Sequence, residues 1–285
     1  MAILYAALAA LFFGTADFTG GFASRKNAIP AVLVWSQIAG LLLVGLFLLV
    51  DRAAAPPSVA DTVYGAAAGV AGLGGLALLY RGLSRGYVAI VSPLAAVLGA
   101  VVPLVAGLAF GERLSIPAAV GIAVSLPAIV LISWHGHLPP AARNPRRIAE
   151  SWRDGVLSGV FFGLFFVFIS RTDPGSGMWP LAVARVASIA LMFTGAVSTR
   201  REFRITATGR SGPVTVAAAG LLDMAANIFL LLAIRQGLLV IVTVIASAYP
   251  AQTVLLSRVF FGERIGPVRL VGIVLALIGI ALMSV

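Results

Sequence analysis

Two stretches of 28 residues, 151 positions apart, decide the fold. Residues 86–113 read GYVAIVSPLAAVLGAVVPLVAGLAFGER, and residues 237–264 read GLLVIVTVIASAYPAQTVLLSRVFFGER. Both begin with Gly and end in Phe-Gly-Glu-Arg, and several apolar positions between their ends are identical. Apolar composition alone does not produce a shared charged tetrapeptide. The spacing therefore predicts an internal repeat.

The repeat extends towards the beginning of the chain. Phe-Phe-Gly at residues 12–14 recurs at 161–163, 149 positions later, so the two registers differ by only two residues. We predict a first repeat over 1–134, a basic linker over 135–154 that is rich in Pro and Arg, and a second repeat over 155–285.

Composition indicates that most of this chain is solvated by lipid. Of its 285 residues, 60% are hydrophobic and 11% are charged, against about 45–50% and about 25% in soluble domains. The net charge of +10 lies mostly between long apolar runs, so we expect the lipid bilayer as a partner and no nucleic acid. With no Cys and only two His residues, we expect no metal site and no cofactor.

Runs of about 20 apolar residues predict membrane-spanning helices. Ten such runs occur, at 2–23, 30–50, 62–80, 86–110, 116–134, 155–171, 178–198, 213–233, 237–260 and 266–285. Each repeat holds five, and because five is odd the second repeat enters the membrane from the opposite side. The predicted fold is an all-α integral membrane protein with ten transmembrane helices in two inverted five-helix repeats. Many secondary transporters have this architecture, with a substrate site near the midplane.

The five-plus-five pattern resembles the EamA-type branch of the drug/metabolite transporter superfamily. Its most specific motifs are Gly111-Glu112-Arg113 and Gly262-Glu263-Arg264, each of which follows the fourth helix of a repeat. In the first helix, Phe13-Gly14-Thr15 loosely matches the aromatic-Gly-Ser motif of the family. The resemblance implies export of amino acids or other small metabolites, and some relatives carry nucleotide sugars or sugar phosphates. We interpret each Gly-Glu-Arg as the place where a helix ends at a glycine and two charged residues follow at the water interface.

Basic residues predict the orientation. The connections after spans 1, 3, 5, 7 and 9 hold 15 Lys and Arg residues, and the other four connections hold four. Since cytoplasmic connections carry the basic excess, both termini are expected on the outer face of the bacterial inner membrane. The resemblance favours the opposite orientation, because many relatives have cytoplasmic termini.

Ionisable residues inside spans are candidate site residues, because they are costly in lipid. Asp223 lies at the centre of span 8 with Asn227 one turn further on, and both are predicted to bind substrate. Arg185, in span 7, pairs either with a substrate carboxylate or permanently with Asp223. Asp17 is a further binding candidate, with a position near the end of its helix as the competing interpretation.

Uncharged residues are further candidates for the binding site. We expect Trp35, Gln37, Tyr249 and Gln252 to line the same site, with helix packing or lipid contact as the alternative for Trp35 and Tyr249. The prolines of spans 4 and 9 are predicted to act as gating or permanent kinks, and these are Pro93, Pro103 and Pro250.

The preferred hypothesis is a transporter of a small metabolite, an amino acid or similar zwitterion, that works by alternating access. One alternative is a proton-coupled drug or cation exporter that uses Asp17 or Asp223. Another is a non-transporting membrane partner with a structural or lipid-handling role. An enzyme is not expected, because no Ser–His or paired-Asp arrangement falls within the spans. The sequence leaves monomer and homodimer open.

Overall fold

The chain folds into a helical bundle. The structure, a computed structural model, describes residues 1–50, 55–85, 87–133, 144–199, 203–209, 212–261 and 266–285. These residues form a short 3-10 helix, Pro174–Ser176, and eleven α-helices. The helices are α1 (Ala2–Ala23), α2 (Ile29–Val50), α3 (Val59–Ser84), α4 (Val88–Ala109), α5 (Ile116–Ile132), α6 (Pro145–Ser170), α7 (Trp179–Thr199), α8 (Pro213–Ile234), α9 (Leu239–Ala246), α10 (Pro250–Phe261) and α11 (Pro267–Met283).

All ten predicted segments are helical. Among the described residues, seven helices are long and apolar enough to cross a membrane, with α9 and α10 taken together as one span. The apolar helices α5, α7 and α11 provide shorter segments, of 10–17 residues. The described part of the chain contains no β-strand, so the all-helical prediction is confirmed there.

The predicted linker over 135–154 is helical in its second half. Helix α6 begins at Pro145, and its first turns bury Ser151 and Asp154. The side chain of Asn144 accepts a hydrogen bond from the Arg146 amide at 3.0 Å, and proline suits the first helical position because it has no amide hydrogen to satisfy. The first half of the linker, including both histidines, lies almost entirely outside the described residues.

The ninth predicted span is interrupted. Helix α9 ends at Ala246 and α10 begins at Pro250, because a proline lacks the N–H that would continue the helical ladder. In contrast, α4 runs through both Pro93 and Pro103.

The first Gly-Glu-Arg motif ends α4 as predicted, but its acid has a different role. Gly111 has φ of +89°, and the Glu112 amide bonds back to the Gly107 carbonyl at 2.9 Å. The Glu112 carboxylate accepts the amides of Leu239 at 2.8 Å and Val240 at 3.0 Å. It therefore caps the first turn of α9, where amides lack helical partners. The second copy, Gly262-Glu263-Arg264, lies outside the described residues.

Helices of the two halves pack mainly against each other. The most extensive contacts join α1 to α8, α3 to α6, α4 to α6 and α5 to α11. In addition, α2 packs on α7 and α8, and α3 packs on α7. Contacts between helices of one half are fewer. The two halves therefore build one shared interior.

Two glycines allow the closest helix contacts. A Cβ atom on Gly220 of α8 would stand 2.0 Å from the Ser36 carbonyl of α2, and one on Gly69 of α3 would stand 2.1 Å from the Ala184 carbonyl of α7. Small residues permit such backbone approach between membrane helices. The two contacts hold α8 against α2 and α3 against α7.

We expect Gly220→Ala to destabilise the protein by about 1–3 kcal/mol, because the methyl group forces α2 and α8 apart. The matched control is Gly45→Ala on α2, where nothing lies within 4 Å of the added atom. Alanine there raises helix propensity, so the control is expected to be neutral or slightly stabilising. Thermal unfolding in detergent measures both, and equal unfolding midpoints would contradict the close contact.

Candidate functional site

A cavity lies in the shared interior. Its walls come from α1, α2, α3, α4, α6, α7 and α8 and from the break between α9 and α10. The space open to the centres of water molecules is about 50 Å³, enough for a few waters. The predicted polar residues Asp17, Gln37, Arg185, Asp223, Asn227 and Tyr249 all line it.

A charged network fills one side of this cavity. The guanidinium of Arg185 donates from Nη1 to Gln37 Oε1 and from Nη2 to Asp223 Oδ2. The Arg185 and Asp223 side chains are only 10% and 12% exposed, so both charges are largely removed from solvent. The pairing of Arg185 with Asp223, one of the two considered from the sequence, is present in the structure.

Asn227 supports the acid of this network. Its Nδ2 donates to the Asp223 carbonyl at 2.7 Å and to Asp223 Oδ2 at 3.3 Å. The four-residue spacing places both side chains on one face of α8, as the sequence predicted. Hydrogen bonds from Arg185 and Asn227 thus end on the same carboxylate oxygen.

Asp17 adds a second carboxylate. It is buried in α1 and lines the cavity, and α1 continues for six more residues to Ala23. The structure therefore places Asp17 in the interior and not at the end of its helix. Among the described residues that line the cavity, Arg185 is the only cation.

The helix break contributes polar groups. Ser247 and Tyr249 lie between α9 and α10, and both line the cavity. Their hydroxyl oxygens are buried and find no hydrogen-bond partner within the described part of the chain. Pro250 begins α10 directly after them. The sequence identified Tyr249 and Pro250 but missed Ser247, although its position just before the proline was an available signal.

Aromatic rings form another part of the cavity wall. Phe162, Phe165 and Phe166 of α6 lie there with Phe13 of α1. The Phe13 and Phe166 rings are 6.2 Å apart, and the Phe165 and Phe166 rings meet edge to face at 5.9 Å. The sequence used the two Phe-Phe-Gly motifs only as evidence for the repeat and assigned these rings no role.

Two predicted site residues lie elsewhere. Trp35 is 48% exposed and donates from Nε1 to the Phe203 carbonyl at 2.8 Å. Gln252 packs against Gly14, and its Nε2 lies 3.4 Å from Thr15 Oγ1. Neither lines the cavity: Trp35 faces the outside of the bundle, and Gln252 fills a contact between α1 and α10.

Comparison with known proteins identifies the family. The sequence matches the EamA-like transporter family over residues 1–134 and 155–285. The chain belongs to this family. It is accordingly a multi-pass membrane protein of the drug/metabolite transporter type, as its resemblance predicted.

A solved structure shares the fold. A crystal structure of a protein that is 17% identical to this chain matches it with a TM-score of 0.71, over 99% of this chain and 95% of the other. At this identity the similarity concerns the fold alone. No curated protein matches the sequence at a significant level.

A double-mutant cycle tests the charge pair. We expect Asp223→Asn and Arg185→Gln each to cost about 3 kcal/mol of stability, because each leaves a buried charge without its partner. The double variant loses less than the sum, with a coupling energy of about 1–3 kcal/mol. Thermal unfolding in detergent provides the values.

The matched control is the bridge between Arg85 and Glu150, whose side chains are 47% and 48% exposed. Its coupling is expected to stay below about 1 kcal/mol. If the losses of stability caused by Asp223→Asn and Arg185→Gln were strictly additive, the two residues would not stabilise each other.

Proposed function

We propose that this protein is a secondary transporter that moves an amino acid or a similar zwitterion across the bacterial inner membrane. The observation that carries the proposal is the interior network of Arg185, Asp223 and Asn227, with Asp17 in the same cavity. A guanidinium suits a substrate carboxylate, and a carboxylate suits a substrate amine. The phenylalanine side accepts an apolar side chain.

In the proposed mechanism, the substrate exchanges partners with the network. The substrate carboxylate replaces Asp223 as the partner of Arg185, while the substrate amine binds the Asp223 carboxylate. Each buried charge therefore keeps a partner. The hydroxyls of Ser247 and Tyr249, which are unpaired within the described residues, would supply further hydrogen bonds. The cavity of about 50 Å³ must enlarge to admit such a molecule, and alternating access would provide that enlargement.

Helix packing supports two inverted repeats. Exchanging the halves converts the α1–α8 contact into the α6–α3 contact, and the α2–α8 contact into the α7–α3 contact, and all four are present. The two glycines at the closest helix contacts also occupy corresponding positions in the two halves. Gly69 and Gly220 are 151 residues apart, and they face Ala184 and Ser36 respectively. With five spans per half, this exchange requires opposite orientations in the membrane.

Transport into proteoliposomes tests the proposal. We expect saturable uptake of radiolabelled leucine or phenylalanine, and its loss by at least tenfold in Asp223→Asn. The double variant Asp223→Asn/Arg185→Gln is expected to be equally inactive, and thermal unfolding of each variant in detergent separates loss of binding from loss of stability. Glu150→Gln is the matched carboxylate-to-amide control outside the cavity and should retain full uptake. Full uptake by the double variant would overturn the site assignment.

A second candidate function rests on Asp17. Arg185 is already bonded to Gln37 and Asp223, so Asp17 is available to bind a proton or a cationic drug. In the same vesicles, uptake of tetraphenylphosphonium that requires a proton gradient, without amino acid uptake, would favour this cation exporter. Amino acid uptake that is independent of the gradient would exclude it.

The orientation is tested in the cysteine-free chain. On the proposed orientation, Ser284→Cys near the C-terminus is labelled by an impermeant maleimide on intact cells, because the basic connections face the cytoplasm. Thr206→Cys, in the connection between α7 and α8, should be labelled only after lysis. The reverse pattern would place both termini in the cytoplasm.

A further inference from the structure

A second, larger groove lies on the outside of the bundle. Its walls are Trp35, Ile38 and Leu42 of α2 and Pro213 and Ala217 of α8. The space open to water-sized centres is about 670 Å³. The walls are almost wholly apolar, and the groove is separate from the central cavity.

Residues 203–207 form an ordered strap beside the groove. The Phe203 carbonyl accepts the Trp35 indole hydrogen at 2.8 Å. The amides of Thr206 and Ala207 donate to Asn27 Oδ1 at 3.2 and 3.0 Å. Phe203 also meets the Phe193 ring edge to face at 5.4 Å. The strap is therefore held at both ends, and the groove is a built feature.

The groove runs from the end of the bundle into the membrane. Trp35 and Leu42 follow the first residue of α2, Ile29, by six and thirteen positions, which is roughly 9 and 20 Å along the helix axis. Leu42 is 69% exposed on the outside of the bundle. At this depth the surrounding solvent is hydrocarbon, so an acyl chain matches both the shape and the polarity of the walls.

Positive charge stands at the mouth of the groove. Arg204 lines it between the two anchor points of the strap, is exposed, and makes no ion pair among the described residues. The connection from 200 to 212 carries four arginines and a single acid. Basic pockets between membrane helices attract anionic lipid headgroups.

We propose that this groove is a binding site for an anionic phospholipid. One acyl chain lies between α2 and α8 along Trp35, Ile38 and Leu42, and the phosphate contacts Arg204. The two helices that form the groove also carry Gln37 and Asp223 into the central cavity, so the bound lipid contacts the back of the helices that hold the charged network.

Quenching of Trp35 by lipid tests the proposal. The changes Trp134→Phe, Trp152→Phe and Trp179→Phe leave Trp35 as the only tryptophan. The protein is reconstituted in phosphatidylcholine vesicles that contain increasing amounts of phosphatidylglycerol or phosphatidylcholine with brominated acyl chains. We expect brominated phosphatidylglycerol to reach half-maximal quenching at about fivefold lower mole fraction.

Two charge variants in the same background separate a site from general surface attraction. Arg204→Gln should remove the preference for phosphatidylglycerol, whereas Arg25→Gln, an exposed arginine outside the groove, should leave it. Equal quenching by both lipids, or an equal effect of both variants, would overturn the proposal. Weak quenching that grows as the protein is diluted in lipid would instead assign the groove to a second copy of this chain.

Discussion

The structure depends on keeping the Arg185 guanidinium paired inside a membrane bundle. An unpaired cation there carries a large desolvation cost, so helices α2 and α8 must both reach it with acceptors, through Gln37 and Asp223. They approach each other closely because Gly220 has no side chain to hold the two backbones apart. Close helix packing and charge neutralisation are therefore a single constraint, and the position of the cavity follows from it.

The spans were predictable because length and apolarity decide them. The i, i+4 relation also predicted that Asp223 and Asn227 share a face, and Gly111 was predictable as a helix end. Trp35 was predicted to line the site together with Gln37. The two residues are two positions apart, which is a rotation of about 200° around the helix axis. Since Gln37 faces the cavity, that angle turns Trp35 outwards.

Other features depend on contacts between distant segments, which hydropathy does not report. Glu112 caps α9, which begins more than 120 residues later in the chain. The aromatic part of the cavity wall forms only when α6 packs against α3 and α4 and brings Phe166 beside Phe13 of α1. The helix in the second half of the predicted linker had a local signal in Asn144 and Pro145, but the four arginines of the linker were taken as evidence of a solvated segment.

The two halves share a fold but differ in chemistry. By the 151-residue spacing, Asp223 and Asn227 correspond to Gly72 and Leu76, and all four line the cavity. By the 149-residue spacing, Asp17 corresponds to Phe166, another lining residue. Each of the two acids, Asp17 and Asp223, thus corresponds to an aromatic or a small residue in the other half of the chain. Repetition gives the cavity its position, and divergence between the halves gives it one charged side and one apolar side.

Under the proposed function, this asymmetry favours a zwitterion over a simple cation as the substrate. A cation that enters the cavity and takes Asp223 leaves Arg185 with only the neutral Gln37, and the resulting unpaired guanidinium opposes binding. A zwitterion supplies an anion for Arg185 at the same step at which its amine takes Asp223. Only Asp17 is free of this constraint, because Arg185 is already occupied by other partners. A cation is therefore accommodated with least cost at α1, and a molecule with both charges at the pair between α7 and α8.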